Sequence, residues 1–410
     1  MASELANAAG TASLNYGDKV VIILSGVLAA LALTALNSVL PLIETSLAHT
    51  PFDSMLVKQL IGGVALAMVV GAAIGGLISD WLGLRRMLTV ASLTYVVAGT
   101  AGLYLQSLQA LLVSRLFLGL AAASIQIASL TLINTRLHGN ERAKWMGIHF
   151  STAMIGTIIL NPIAGALGSL GWRWPCALYA LGLAFIPAMT LNRKPSPTTS
   201  LGRAAHMQVN PPAAAKSDSV RSWFPFHYLL LALLIGALVF LPTVYLPYLL
   251  RQVKGSSPFV ISLVITADSI IGAVMAMTYG RARRSLTSTA AFVFCFGCIA
   301  LGSLIASRSS SLPGIVVGMC IHGLGVGWVL ANLITSLATK VSAERQGRAV
   351  GVVKAAHFAS APLSIVLIEP FARRYGPADA LVVVSVVACG LFALYSLLQL
   401  TGRQRAPLPQ

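Results

Sequence analysis

Several ionisable side chains stand inside long apolar runs of this chain, where simple solvation does not account for them. Asp268 lies in Ile265-Thr266-Ala267-Asp268-Ser269-Ile270, near the middle of an apolar run over 258–279. A carboxylate in hydrocarbon costs on the order of 2–3 kcal/mol or more when ionised. It suits a group that carries a proton, or one that makes a structural hydrogen bond to a neighbouring helix. Asp268 is the only acid near the middle of any run, and proton coupling is the role it suits. Arg115 lies about two turns into a run over 108–134; it either works as a paired intramembrane charge or snorkels to the interface. Lys354 and His357 share the run 349–371, and their i, i+3 spacing puts them on one helix face, looking into one cavity unless Lys354 snorkels. Glu369, before Pro370, reads as interfacial at the end of the same run. His149 and His322 read as satisfied packing residues or as cavity-lining groups.

The elements that must position these groups are twelve apolar runs. They lie near 20–43, 57–79, 87–105, 108–134, 146–168, 174–191, 225–250, 258–279, 287–306, 313–338, 349–371 and 379–400. A helix of about 20 residues crosses a bilayer core of roughly 30 Å, so each run reads as a spanning helix. Composition agrees. Of 410 residues 57% are hydrophobic and only 10% charged, against about 25% in soluble domains, and the mean hydropathy is +0.83. The net charge of +17 is spread over short loops, which excludes a nucleic-acid surface and gives a topology signal instead. The loops after even-numbered runs, with the C-terminal tail, hold about 18 of the 28 Lys and Arg, and the opposite loops about seven. The expected location is therefore a multi-pass plasma (inner) membrane protein with both termini cytoplasmic. The first 17 residues are polar and lack a cleavage pattern, so the first run is a retained helix. The five cysteines show no metal-ligand spacing and read as packing residues.

One polar interruption is long. Residues 192–222 combine prolines, Ser/Thr and five Lys or Arg, and read as a cytoplasmic linker between six-helix halves at 1–191 and 223–410. A weak repeat supports the division: Glu141-Arg142 and Glu344-Arg345 each precede a glycine at the start of the next run, Gly147 and Gly347 or Gly351. The fold class is all-α and integral to the membrane, with twelve transmembrane helices in two pseudo-symmetric halves.

Between the second and third runs the chain reads Gly76-Leu77-Ile78-Ser79-Asp80-Trp81-Leu82-Gly83-Leu84-Arg85-Arg86-Met87-Leu88. Gly83 permits a tight reversal, Arg85 and Arg86 mark the cytoplasmic side, and Asp80 can accept from an arginine or a helix N-terminus. This stretch resembles the loop signature of the major facilitator superfamily, G-x-L-A-D-R-x-G-R-R-x-x-L. Gly76, Asp80, Gly83, Arg85, Arg86 and Leu88 match, while Trp81 and Leu84 replace basic residues. The resemblance implies two parallel six-helix repeats with a pathway between them, and a gating role for Asp80 against the start of the eleventh run.

Further segments carry the resemblance. Asn37-Ser38-Val39-Leu40-Pro41 looks like the family's N-x-x-L-P ending of the first helix, although Ala32 stands where many drug/proton antiporters have an acid. Arg115 to Ala123 is similar to R-x-x-x-G-x-x-x-A of proton-coupled members. Gly147, Gly156, Asn161, Pro162 and Gly165 partly match the glycine-rich antiporter signature, and also read as a small-residue packing face with a proline kink. Gly171-Trp172-Arg173-Trp174 resembles a segment of drug-efflux members, and its tryptophans also suit an interfacial belt. In the family the first, fourth, seventh and tenth helices line the pathway. That makes Asn37, Gln126, Tyr245, Trp328 and Asn332 substrate-contact candidates, alongside Lys354 and His357; the aromatics read equally as packing residues.

There is no phosphate-binding G-x-x-x-x-G-K-[ST], zinc motif or hydrolase motif, so no enzyme, cofactor or metal is expected. The implied function is secondary active transport, resembling 12-span drug/proton antiporters: proton-coupled efflux of a small lipophilic drug-like or metabolite substrate. The alternative is a proton-coupled importer of a small organic solute or anion held by Lys354 or Arg115. A non-transport membrane receptor is a third reading that the paired loops disfavour. The expected partners are a small-molecule substrate, protons and the lipid bilayer, with the protein acting as a monomer.

Overall fold

A computed structural model of the protein describes residues 14–137, 139–185, 224–342 and 345–404. Among these, eleven helices are long and apolar enough to cross a membrane. In chain order, span 1 comprises Tyr16–Thr34 and Leu40–Leu47, span 2 Pro51–Leu82, span 3 Leu84–Thr100, span 4 Leu108–Arg136 and span 5 Gly139–Leu170. Span 6 is described as the apolar 3₁₀ segment Trp174–Ala184; its continuation and the whole linker 192–222 lie outside the described residues. Spans 7 to 12 are His227–Lys254, Pro258–Ala282, Ser288–Arg308, Leu312–Ala338, Gln346–Tyr375 and Pro377–Gln404. Helix is the form such runs take in lipid, because each backbone N–H and C=O must be satisfied within its own segment.

Local chemistry sets the boundaries. Spans 4, 8, 9 and 10 begin with Ser107, Ser257, Thr287 and Ser311, whose hydroxyls accept from the backbone N–H three residues on. Spans 2 and 3 are separated by Gly83 alone, at φ 75°. That backbone conformation favours glycine, so the reversal expected there is a single residue long. Large apolar side chains such as Val97, Phe117, Ile155, Leu367 and Leu397 are exposed along the outer faces of spans 3, 4, 5, 11 and 12, the surface a bilayer covers.

Span 1 departs from the uninterrupted helix expected over 20–43. It stops at Thr34, passes through a 3₁₀ turn at Asn37–Val39 and resumes at Leu40. Pro41 fits the restart: it stands in the first turn of the resumed helix, where its missing N–H has no intrahelical partner, and it leaves the carbonyl of Asn37 without one.

The packing repeats with a period of six spans. In the first half span 1 packs on spans 5 and 4, span 4 on spans 2 and 3, and span 3 on span 6. In the second half span 7 packs on spans 11 and 10, span 10 on spans 8 and 9, and span 9 on span 12. The halves meet through span 2 against span 11 and span 5 against span 8. The bundle has a terminal end, where span 1 begins and span 12 stops, and a far end holding the turns at 48–50, 255–257 and Gly376.

Candidate functional site

Asp268 of span 8 meets His322 of span 10: His322 Nδ1 lies 2.9 Å from Asp268 Oδ1. Both residues stand ten positions past the first residue of their helices, Pro258 and Leu312, which start from the same end. The histidine is 1% exposed, and its Nε2 lies 3.3 Å from the carbonyl oxygen of Leu238 in span 7. That carbonyl is available because Pro242, four residues on within the span 7 helix, supplies no N–H. A carbonyl can only accept, so Nε2 carries a hydrogen and donates to it. Nδ1 then faces the carboxyl through one further proton, sitting on oxygen or on nitrogen. A pair bonded in that way carries no net charge in either arrangement. The structure thus gives Asp268 an imidazole partner, one that the reading of His322 as packing or cavity lining does not name.

The break in span 1 creates a second polar locus. Asn37 and Ser38 are 0% and 1% exposed, and the side-chain oxygen and nitrogen of Asn37 and the Ser38 hydroxyl have no hydrogen-bond partner. Their turn packs against spans 5, 7 and 8. On span 5, Asn161 Nδ2 donates across the halves to Ser262 O at 3.3 Å and Thr266 Oγ1 at 3.2 Å, while its Oδ1 is unpartnered. Gly165, one turn on, allows this approach: a Cβ there would lie 2.1 Å from Ser262 Oγ and 2.7 Å from Pro258 O. Pro162 stands within the same helix, and Gly156 faces Val27 of span 1, where a Cβ would lie 3.1 Å from Cα. No close approach occurs at Gly147, where an added Cβ meets nothing within 4 Å.

Other expected residues are placed elsewhere. Arg115 is 1% exposed and does not snorkel. Its guanidinium donates to Ala98 O and Gly99 O at the end of span 3, at 3.1 and 2.9 Å, and lies 5.1 Å from the Tyr179 ring of span 6. It caps a helix C-terminus inside the first half, in a different half from Asp268. Lys354 lies over Phe150 of span 5 at 5.3 Å, whereas His357 packs on Phe240 of span 7 at 5.5 Å. Trp328 Nε1 donates to Met275 O at 2.7 Å. Asn332 accepts from Tyr279 and Ser288 and donates to Ser288 O, tying spans 8, 9 and 10. Gln126 is half-buried on span 4. His149 is satisfied by Ser25 Oγ and Ile22 O of span 1. Arg85 and Arg86 are exposed; the side chains of Gly76-to-Asp80 are outside the described residues. No group of three or more His, Cys, Asp or Glu able to hold a metal occurs among the described residues, and the five cysteines are free.

Glu369 corrects the sequence reading. It is 3% exposed and sits in a charged cluster at the far end, between spans 1, 2, 7 and 11. Lys58 Nζ and Arg373 Nε donate to its Oε1, each at 3.0 Å, and the Tyr245 hydroxyl donates to Oε2 at 2.8 Å. Lys58 also donates to Glu44 Oε2 at 3.2 Å and lies 4.5 Å from the Tyr248 ring. Hydropathy places Glu369 at a helix end but says nothing of its three partners.

Two six-helix halves of repeated packing, with buried charges between helices and an interrupted first helix, define a polytopic membrane transport protein of the two-repeat kind. The chain belongs to the Major Facilitator Superfamily, whose family model matches residues 22–365. Membership makes it a secondary transporter and not an enzyme. Among curated relatives, the riboflavin transporter RibZ of Clostridioides difficile is 23% identical over 324 residues, 66% of this chain and 70% of that protein. The probable metabolite transport protein CsbC of Bacillus subtilis is 27% identical over 150 residues, so the match spans 33% of this chain and about a third, 32%, of that relative. The structure is similar to the xylose transporter XylE from E. coli in a partially occluded inward-open conformation, with TM-score 0.69 at 11% identity over 92% of this chain and 96% of that one. At that identity the likeness speaks for the fold.

Proposed function

We propose that the protein is a proton-coupled transporter of small organic solutes, working by alternating access between the two halves, with the Asp268–His322 pair as its proton site. The observation that carries this reading is the pair itself: a carboxyl and an imidazole 2.9 Å apart, with the second ring nitrogen committed to Leu238 O. The three helices around it, spans 7, 8 and 10, carry a proline inside the helix, as at Pro242, or pack through glycines, so a change in their packing alters both contacts of the imidazole. Proton loss leaves a carboxylate facing a ring lone pair, a repulsive arrangement that favours rearrangement of the helices. Coupling follows when that rearrangement also changes which side of the membrane reaches the site.

The unpartnered groups of Asn37, Ser38 and Asn161 are the substrate contacts proposed here, with Gln126 and His357, whose Nδ1 is also unpartnered. Tyr245, Trp328, Asn332 and Arg115 act on the pathway through the helices they hold. Both termini are taken as cytoplasmic, on the distribution of Lys and Arg in the loops, and the protein as a monomer in the plasma membrane. The linker at 192–222 then joins the halves on the cytoplasmic side.

Direction is read as efflux, on the span 5 glycines and Gly171-Trp172-Arg173-Trp174. Import of a polar solute is the second reading, favoured by the neutral hydrogen-bonding side chains at the span 1 break and by relatives named for riboflavin and xylose. Inverted vesicles with ethidium, riboflavin and D-xylose as probes test both. ΔpH-driven accumulation of ethidium supports efflux, whereas accumulation of riboflavin or xylose only in right-side-out vesicles supports import. No gradient-dependent flux of any solute in a broad panel would sink the transport reading.

A further inference from the structure

The far-end cluster divides unevenly between the halves. Glu44 and Lys58 belong to spans 1 and 2 of the first half, and Glu369, Arg373 and Tyr245 to spans 11 and 7 of the second. Within this cluster the ion pair that crosses the interface is Lys58 to Glu369, at 3.0 Å. Each partner of that bridge has a second, opposite charge within its own half. Lys58 has Glu44 at 3.2 Å, and Glu369 has Arg373 at 3.0 Å. The bridge partners are deeply buried, with side chains 6% and 4% exposed, whereas Glu44 and Arg373 are 25% and 32% exposed.

Breaking a buried ion pair normally strands two charges in a poor solvent and is strongly unfavourable. Here separation leaves a carboxylate with an ammonium on one side and a carboxylate with a guanidinium on the other. Each half's share of these four charges sums to zero before and after. The Tyr245 hydroxyl, at 2.8 Å from Glu369 Oε2, stays with its own half as well. A cavity of about 280 Å³ lined by Pro51, Phe52, Met55, Glu369, Pro370 and Arg373 opens beside the cluster, giving water a place to enter as the bridge parts.

We infer that Lys58–Glu369 is the far-end latch between the halves, and that Glu44 and Arg373 are counter-ions that let it open. The inference rests on the alternating-access reading above. It assigns the four charges opposite roles. Removing a bridge partner favours the open far end. Removing a within-half counter-ion favours the closed one, because the latch partner it served then has no opposite charge to return to.

The test uses full-length protein in detergent, with the five native cysteines replaced and Gln59→Cys introduced. Gln59 sits on the same seam, its Nε2 donating to Pro362 O across the halves at 3.0 Å. The rate of reaction with an uncharged maleimide reports the open fraction. Glu369→Gln and Lys58→Gln are expected to speed labelling, and Glu44→Gln and Arg373→Gln to slow it, each by about threefold or more. A shift of all four in the same direction, as a merely stabilising cluster gives, overturns the proposal; so does an unchanged rate in Glu369→Gln. If Glu369→Gln does not fold, the Lys58→Gln/Glu369→Gln double variant, which strands no buried charge of the bridge, carries the same expectation. Spin labels at Thr50→Cys and Tyr375→Cys separate the two failures. Two distances in the otherwise unsubstituted protein without the opposite-sign split overturn the latch alone. A single distance in every variant and at every pH overturns the rocking of the halves and the latch with it.

Discussion

His322 illustrates what a single residue adds to a transporter core. Alone on span 10 it has the profile of a packing residue, and the sequence offered no more. The structure supplies the two atoms that decide its state, Leu238 O on one side and Asp268 Oδ1 on the other. Glutamine at this position can donate to the carbonyl and accept from the acid, but it cannot take up a proton. In His322→Gln, ΔpH-driven solute accumulation in proteoliposomes should fall about tenfold or more, a loss of order 1.4 kcal/mol in coupling, while downhill exchange stays within about twofold. Equal loss of both would mean that the ring serves only the fold. Asp268 was legible because a mid-span acid is conspicuous against apolar neighbours. Its partner was not, because which helices become neighbours is set by packing six spans deep and not by local pattern. Glu369 failed for the same reason: depth along a helix was readable, and lateral partners were not.

At the scale of elements, proline does much of the positioning. Pro41 opens the second part of span 1, just after Asn37 and Ser38, whose side chains are buried without partners. Pro242 leaves Leu238 O for the imidazole. These breaks follow from the missing N–H of proline, and both prolines are plain in the sequence; what the sequence does not give is the group that fills each vacancy. The second case makes a prediction. In Pro242→Ala the new backbone N–H bonds Leu238 O and displaces His322 Nε2, a hydrogen bond worth about 1 kcal/mol. Gradient-driven accumulation should then drop about fivefold, with span 7 otherwise intact and the protein at least as stable to heating in detergent. An unchanged accumulation ratio, measured at equal protein in the vesicles, would remove Leu238 O from the account. Element boundaries were the most legible feature, since hydrocarbon thickness fixes the length of each run and Ser or Thr caps mark four of the starts.

For the whole molecule, the proposed motion rests on the repeated packing of the halves and on their two contact seams. Spans 2 and 11 and spans 5 and 8 form equivalent seams under the six-span repeat, and the rocking proposed above would close one end as it opens the other. Asp80, at the terminal end of span 2 and beyond the described side chains, is proposed to act on that motion through the start of span 11. Asp80→Asn should slow turnover about tenfold while the apparent affinity for substrate stays within about twofold; a large affinity loss at unchanged turnover would place Asp80 in binding instead. The most direct test of the central claim is solute accumulation by Asp268→Asn in proteoliposomes under an imposed pH gradient, beside the unsubstituted protein. Asparagine keeps the shape of the protonated acid and cannot release a proton. The account predicts that Asp268→Asn exchanges solute downhill and fails to concentrate it. Concentration to the level of the unsubstituted protein, driven by the same gradient, would contradict the assignment of Asp268 and His322 as the proton site.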